Sequence, residues 1–178
     1  KLGFGCSDLA LGQTDSDPQL EIAIAGNPAG GFVLDGASLD VDWAVPSGFG
    51  SRLCLGNFDA DERDEVASLV TGGGIRVQDP ETGDAIWEAP ALDAFVLAAA
   101  NLDSEAGSEL VWSAVQWGPI HILDGATPAE LGIVESPESV VMKIAAGDTD
   151  SDGLPNLLWA TGYLSSAPDY LWVARSDT

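Results

Sequence analysis

The chain has 178 residues, of which 46% are hydrophobic, so it can build a sizeable core and is not a disordered chain. Its 29 acidic against 6 basic residues leave a net charge of -23, which repels nucleic-acid phosphates and anionic lipid. The longest clean apolar run, Ala94–Ala100, is far short of the roughly 18 residues of a membrane span. Neither a nucleic-acid partner nor membrane insertion is expected.

From the N-terminus, a short apolar strand, Leu9-Ala10-Leu11, runs into a polar turn, Gly12-Gln13-Thr14-Asp15-Ser16-Asp17. A second strand, Leu20-Glu21-Ile22-Ala23-Ile24, leaves it, and Asp35-Gly36-Ala37-Ser38 marks a later turn before Trp43. The succession then starts again. Leu53-Cys54-Leu55 enters Gly56-Asn57-Phe58-Asp59-Ala60-Asp61, and Val66–Val70 leaves it. A glycine-rich turn (Gly72, Gly73, Gly74), a third strand (Ile75–Gln78), the turn Asp79–Gly83 and a fourth strand (Ala85–Glu88) complete the unit. The loop returns as Ala100-Asn101-Leu102-Asp103-Ser104-Glu105, with Asp124-Gly125-Ala126-Thr127 behind it, and as Gly147-Asp148-Thr149-Asp150-Ser151-Asp152.

These starts lie 44, 44 and 47 residues apart, dividing one domain, 1–178, into repeats of about 1–48, 49–92, 93–139 and 140–178. No helical stripe is sustained past about 10 residues, and Asp-Gly between apolar runs signals a hairpin. Four short antiparallel strands in about 45 residues make one propeller blade. The expected fold is therefore all-β, a β-propeller of four-stranded antiparallel blades, either a closed four-blade ring or part of a larger one. The last repeat stops at Thr178 without a clear fourth strand, and Lys1–Cys6 is a candidate for that edge. An incomplete ring would expose edges or apolar faces. The chain is thus expected to be a closed monomer or to contact another chain, or missing blades, at its termini.

Trp43 and Trp87 share one phase on the fourth strand, while Trp112 and Trp159 share another on the second. Residues locked to a repeat in this way pack between blades. Trp117, beside Gly118-Pro119, is out of phase and is the candidate for an exposed aromatic. Cys6 and Cys54 are read either as unpaired small hydrophobes or as a disulfide between adjacent repeats, with a metal pair as the remaining option.

A loop with oxygen-bearing side chains at every second position, closed by an acid or amide four residues on, suits a hard divalent cation. The run Phe49-Gly50-Ser51-Arg52-Leu53-Cys54-Leu55-Gly56-Asn57-Phe58-Asp59-Ala60-Asp61 resembles the integrin-type FG-GAP propeller repeat and its bacterial relatives. Phe4-Gly5 repeats its start one residue out of register, and Ala25-Gly26-Asn27-Pro28 echoes another element of the family. The resemblance covers nearly the whole chain and rests on four phased copies rather than on any single piece. It implies a propeller, commonly seven-bladed, with Ca²⁺ between the first two strands of a blade. The ligands would come from loop positions 1, 3, 5 and 9 and from the carbonyl of position 7.

Carried onto this sequence, the first loop offers Gln13, Asp15, Asp17, the Gln19 carbonyl and Glu21. The second offers Asn57, Asp59, Asp61, the Arg63 carbonyl and Glu65, and the third Asn101, Asp103, Glu105, the Gly107 carbonyl and Glu109. The fourth offers Asp148, Asp150, Asp152, the Leu154 carbonyl and Asn156. Only the fourth has Asp-x-Asp-x-Asp-Gly in full; Gln13, Pro18 and Glu105 depart from it. The alternative is an Asp/Asn-rich turn whose side chains bond their own backbone.

Catalysis has little to build on. His121 is the single histidine and lies on an alternating strand, and no nucleophile elbow, zinc-binding helix or phosphate loop is present. The leading expectation is a non-enzymatic, calcium-binding propeller that binds a protein or glycan or builds a surface assembly. The alternatives are part of a secreted polysaccharide lyase or hydrolase, or a structural segment of a larger assembly. Weak calcium loops suit millimolar Ca²⁺ outside cells, which points to an extracellular, cell-surface or periplasmic setting. The start at Lys1, without a signal-peptide pattern, reads as a processed or excised segment.

Overall fold

Short alternating segments between Gly-, Asp- and Asn-rich turns bury their apolar residues best as strands. The computed structural model of the protein describes residues 5–27, 30–70, 74–90, 92–103, 105–114, 118–137, 140–162 and 169–175. Phe4, Pro28, Gly72, Gly73, Ser104 and Trp117 lie outside them. The described residues form fifteen strands and no helix.

Blade 1 is β1 (Gly5–Gly12), β2 (Glu21–Asn27), β3 (Gly30–Leu34) and β4 (Val41–Val45). Blade 2 is β5 (Leu53–Gly56), β6 (Glu65–Val70), β7 (Gly74–Gln78) and β8 (Ala85–Ala89). Blade 3 is β9 (Ala94–Ala100), β10 (Glu109–Ala114), β11 (Ile120–Leu123) and β12 (Glu130–Val134). Blade 4 has β13 (Val141–Gly147), β14 (Asn156–Thr161) and β15 (Leu171–Ala174). Within each sheet the strands lie in chain order and pair antiparallel. The sheets follow one another in chain order, inner strand beside inner strand at three junctions, as the four blades of a β-propeller. Gly5 and Cys6 pair with Asn27 and Gly26 inside blade 1. They are therefore not the outer strand of blade 4, where β15 is the last strand among the described residues.

The core lies between blades rather than within them. Ala23, Val33, Phe49, Leu53 and Val66 join blades 1 and 2. Cys54, Leu69, Val77, Leu97 and Leu110 join blades 2 and 3, and Val96, Val111, Ile144 and Leu157 join blades 3 and 4. The phased tryptophans occupy these seams as expected. Trp87 and Trp112 sit in the second, Trp159 in the third, and Trp43 packs 5.4 Å from Phe49 in the first. Trp87 Nε1 also donates to the Gly125 carbonyl of the next blade at 2.7 Å. Both cysteines are free thiols: Cys6 is exposed, and Cys54 is a small hydrophobe of the second seam, its thiol pushed up by burial.

The Asp-Gly turns join third to fourth strands, with the aspartate oxygen accepting from its own backbone: Ala37 N to Asp35 at 3.0 Å, Ala126 N to Asp124 at 2.9 Å. Their glycines are not among the residues with positive φ. They are needed for space, because a Cβ on Gly36 or Gly125 would lie 1.9 Å from the Leu20 carbonyl or 2.0 Å from that of Ser108. The turn rests directly on the loop between the first two strands. Gly36→Ala and Gly125→Ala are each expected to destabilise by about 1–3 kcal/mol or more through overpacking, read as a lower denaturant midpoint at unchanged slope.

Candidate metal centre in the acidic loops

Each acidic loop joins the inner strand of a blade to its second strand, so all four lie at one end of the propeller. The residue at loop position 9 opens the second strand and is pulled inward by the sheet. Glu21, Glu65, Glu109 and Asn156 are all buried, an unusual place for three carboxylates.

In the first loop, Glu21 Oε2 accepts from the Thr14 N–H at 2.8 Å and from its hydroxyl at 3.4 Å. Glu21 Oε1 is buried and has no hydrogen-bond partner. Asp15, Asp17 and Glu21 each present a carboxylate oxygen within 4.8 Å of the others. Gln13 turns its amide nitrogen to the carbonyls of Asp15, at 3.0 Å, and Asp17.

The second loop repeats this construction. Glu65 Oε2 accepts from Phe58 N at 2.6 Å and Asp59 N at 3.2 Å, and Glu65 groups with Asp59 and Asp61 within the same 4.8 Å. Asn57 donates to the Asp61 carbonyl, while its Oδ1 is buried and unpartnered. Arg63 binds the outer oxygen of Asp61 at 3.1 Å and also pairs with Glu81 on the neighbouring turn. Burial, reinforced by Asp59 and Asp61, pushes the Glu65 carboxyl up to about 7 against the bonds from Phe58 and Asp59. Burial also raises Glu21 and Glu109 above the usual carboxylate range.

The fourth loop is assembled differently. Asp148, Asp150 and Asp152 converge, all three exposed. Asn156 Oδ1 is engaged by the Thr149 N–H at 2.9 Å and by its hydroxyl, leaving the Asn156 amide nitrogen buried and unpartnered. Where Glu21 and Glu65 carry a second carboxylate oxygen, Asn156 carries a donor. Arg175 Nε approaches Asp150 at 3.4 Å. Gly153 takes φ +93°, as its position in the loop requires, but Ala60 and Ser151 at loop position 4 also adopt positive φ, of 62° and 63°.

The third loop does not converge. Glu109 Oε2 accepts from Leu102 N at 2.5 Å, as its counterparts do, yet Asp103, Glu105 and Glu109 form no such group among the described residues. Glu105 carries its carboxylate one methylene further out. In all four loops some carboxylates also close local turns: Asp17 N to Asp15 at 2.7 Å, Arg63 N to Asp61 at 2.6 Å, Glu105 N to Asp103 at 2.6 Å and Leu154 N to Asp152 at 2.8 Å. Asp61 gives its second oxygen to Arg63, and Asp148 accepts on both oxygens, from Ser151 N at 2.6 Å and Gly153 N at 3.1 Å.

The sequence did not point to the role of loop position 2, whose N–H bonds the buried position-9 side chain. Nor did it point to the basic neighbours Arg63 and Arg175. Between the first two loops lies an open cleft of about 560 Å³ lined by Gln13, Asp15, Asp17, Asp61 and Arg63. His121 is far simpler: its ring stacks on Trp112 at 4.3 Å and its Nδ1 meets Glu130 at 2.6 Å.

The residues of the first and second loops fit a hard divalent cation, because each loop combines a buried oxygen without a hydrogen-bond partner with three carboxylates that lie within 4.8 Å of one another. Comparison with known proteins bears on the fold. No family model and no curated protein matches the chain. The crystal structure of the computationally designed Ika4 protein is similar with a TM-score of 0.62 and 16% identity, over 98% of this chain and 94% of that one. The BBS1N chain crystallised in complex with ARL6DN and soaked with mercury is similar with a TM-score of 0.51 and 12% identity. That match covers 86% of this chain, which spans 57% of the BBS1N chain. At these identities the likeness shows the propeller fold.

Proposed function

We propose that this propeller is a calcium-stabilised binding or assembly module that works outside the cytoplasm and without catalysis. One observation carries the reading: in two loops a buried glutamate, held by backbone N–H groups, meets two aspartates. Like charges gathered this closely need a counter-ion, and oxygen-only donors at the base of a loop suit Ca²⁺. Asp15, Asp17 and Glu21 would hold one ion, Asp59, Asp61 and Glu65 a second, and Asp148, Asp150 and Asp152 a third. Bound there, the ion would supply charge neutralisation and fix the loop end of the blades, offering a rigid surface to a protein or glycan.

The likeness of the loops to integrin-type FG-GAP repeats supports the same assignment, as does the acidic balance of the chain. Isothermal titration of the chelator-treated protein with CaCl₂ tests it. Saturable binding near three ions per chain is expected, with Mg²⁺ competing poorly because it dehydrates reluctantly and demands a tighter octahedron. No saturable heat at millimolar Ca²⁺ would dismiss the reading.

A further inference from the structure

Every blade has two faces, one for its predecessor and one for its successor. The predecessor face is marked on the inner strand by Leu53, Leu97 and Ile144 in blades 2, 3 and 4, which are 4%, 4% and 2% exposed. The same place in blade 1 holds Leu9, which is 60% exposed, with Leu11 equally exposed two residues on. The successor face is marked by the cross-strand pairs Ala23–Val33 in blade 1 and Ala67–Val77 in blade 2, whose valines are 1% and 0% exposed. Blade 4 places Leu158 and Val173 there, and Val173 is 52% exposed beside an exposed Leu171. β5, β9 and β13 each pack on the inner strand before them, and among the described residues β1 and β13 form no comparable contact. Three junctions of the ring are packed and the fourth is open.

We propose that two copies of this chain assemble head to tail, blade 4 of each on blade 1 of the other, to close an eight-bladed ring. The occupant follows from continuity with the three packed junctions. The face that blade 4 leaves open is the one that blades 1 to 3 use toward their successors. The face that blade 1 leaves open is the one that blades 2 to 4 use toward their predecessors. A second copy presents both, so a heterologous contact that closes after two copies covers all four faces.

The backbone supports the same register. Asp64 N donates to the Gln13 carbonyl at 2.6 Å, and Ser108 N to the Asn57 carbonyl at 2.7 Å, in each case from loop position 8 to position 1 of the preceding blade. At the new junction Leu20 takes the donor's place and the Asp148 carbonyl of the other copy the acceptor's. Lys143, on the open face of blade 4 in register with Ala160 and Leu171, adds a positive charge opposite a chain of net charge -23. Exposed leucines and valines in matched rows are otherwise a liability that proteins cover.

Sedimentation equilibrium and light scattering on the 178-residue chain in millimolar CaCl₂ test this. The expected mass is twice the 18.3 kDa of one chain. Leu9→Asp with Leu11→Asp, and separately Leu171→Asp with Val173→Asp, should each give a folded monomer with an unchanged strand spectrum, since these side chains are exposed in the single chain. Mixed in equal amounts, the two variants keep one intact junction and should form a heterodimer at lower affinity than the parent. A folded wild-type monomer at tens of micromolar, a larger assembly, or a dimer that survives either variant overturns the proposal.

Discussion

Chelating calcium at pH 7.5 is expected to lower the melting temperature by roughly 15–30 °C. The loops are assembled only in the folded chain, so each ion of the proposed assignment would stabilise by mass action, about 2.7 kcal/mol for a site held at 100 times its dissociation constant. Three such sites give about 8 kcal/mol, and in a chain of this length each kcal/mol moves the midpoint by about 2–4 °C. The contribution should divide by loop. Asp59→Ala with Asp61→Ala, or Asp150→Ala with Asp152→Ala, should each remove about a third of the calcium-dependent shift while moving the chelated midpoint far less. Asp103→Ala with Glu105→Ala should leave the shift nearly whole, because the third loop brings no carboxylate group together. Equal shifts in all three double variants would show that the loops do not act as separate sites.

The second large effect is a pH dependence that changes sign with the ion. In the chelated protein, burial holds the Glu65 carboxyl near 7, against an ordinary value of 4.5. A raised folded-state pKa means stability fully present below about 4.5 and lost as the pH rises through about 7. Over that window the loss from this one group is roughly 3 kcal/mol, and Glu21 and Glu109 act in the same direction. Under the proposed assignment calcium would bind the ionised carboxylates, so in its presence stability should instead rise from pH 5 to pH 7.5. Glu65→Gln keeps the shape and the acceptor oxygen for Phe58 N, and it should flatten much of the slope of the chelated protein while costing one calcium site. Thermal melts at pH 5, 6, 7 and 8, with CaCl₂ and with chelator, check both halves. A chelated protein that gains stability toward pH 8 would contradict the assignment of Glu65.

Most of the architecture could be read in the sequence because each repeat states its strands in alternation and its turns in Asp, Asn and Gly. The phase of Trp43 and Trp87, and of Trp112 and Trp159, places them at blade seams by spacing alone, and there they lie. The candidate ligands were legible for the same reason, since Asp15, Asp17 and Glu21 recur in type and spacing as Asp59, Asp61 and Glu65. What escaped depends on distances between segments far apart in the chain. The Asp-Gly pattern marks Gly36 and Gly125 as turn formers, but the backbone of the adjoining loop is what forbids a side chain there. Among the candidate ligand side chains the third loop differs from the second by one methylene, at Glu105, and spacing alone does not say where that carboxylate ends up. Asn156 matches its loop position in composition, yet its oxygen is occupied by Thr149. The open junction is invisible to pattern as well: Leu9 has the same sequence surroundings as Leu53 and Leu97, and only the fold shows what fails to cover it.

The most direct measurement is a crystal structure from CaCl₂-containing solution, at a resolution that shows the oxygen shells, with anomalous differences collected at long wavelength. The account predicts anomalous peaks in the first, second and fourth loops, each with carboxylate oxygens at about 2.3–2.6 Å, and none in the third. Glu21 Oε1 and Asn57 Oδ1, which are buried without partners, should turn out to be ligands. Loops without a peak at millimolar calcium, with their carboxylates bonded only to their own backbone and to Arg63 or Arg175, would contradict it.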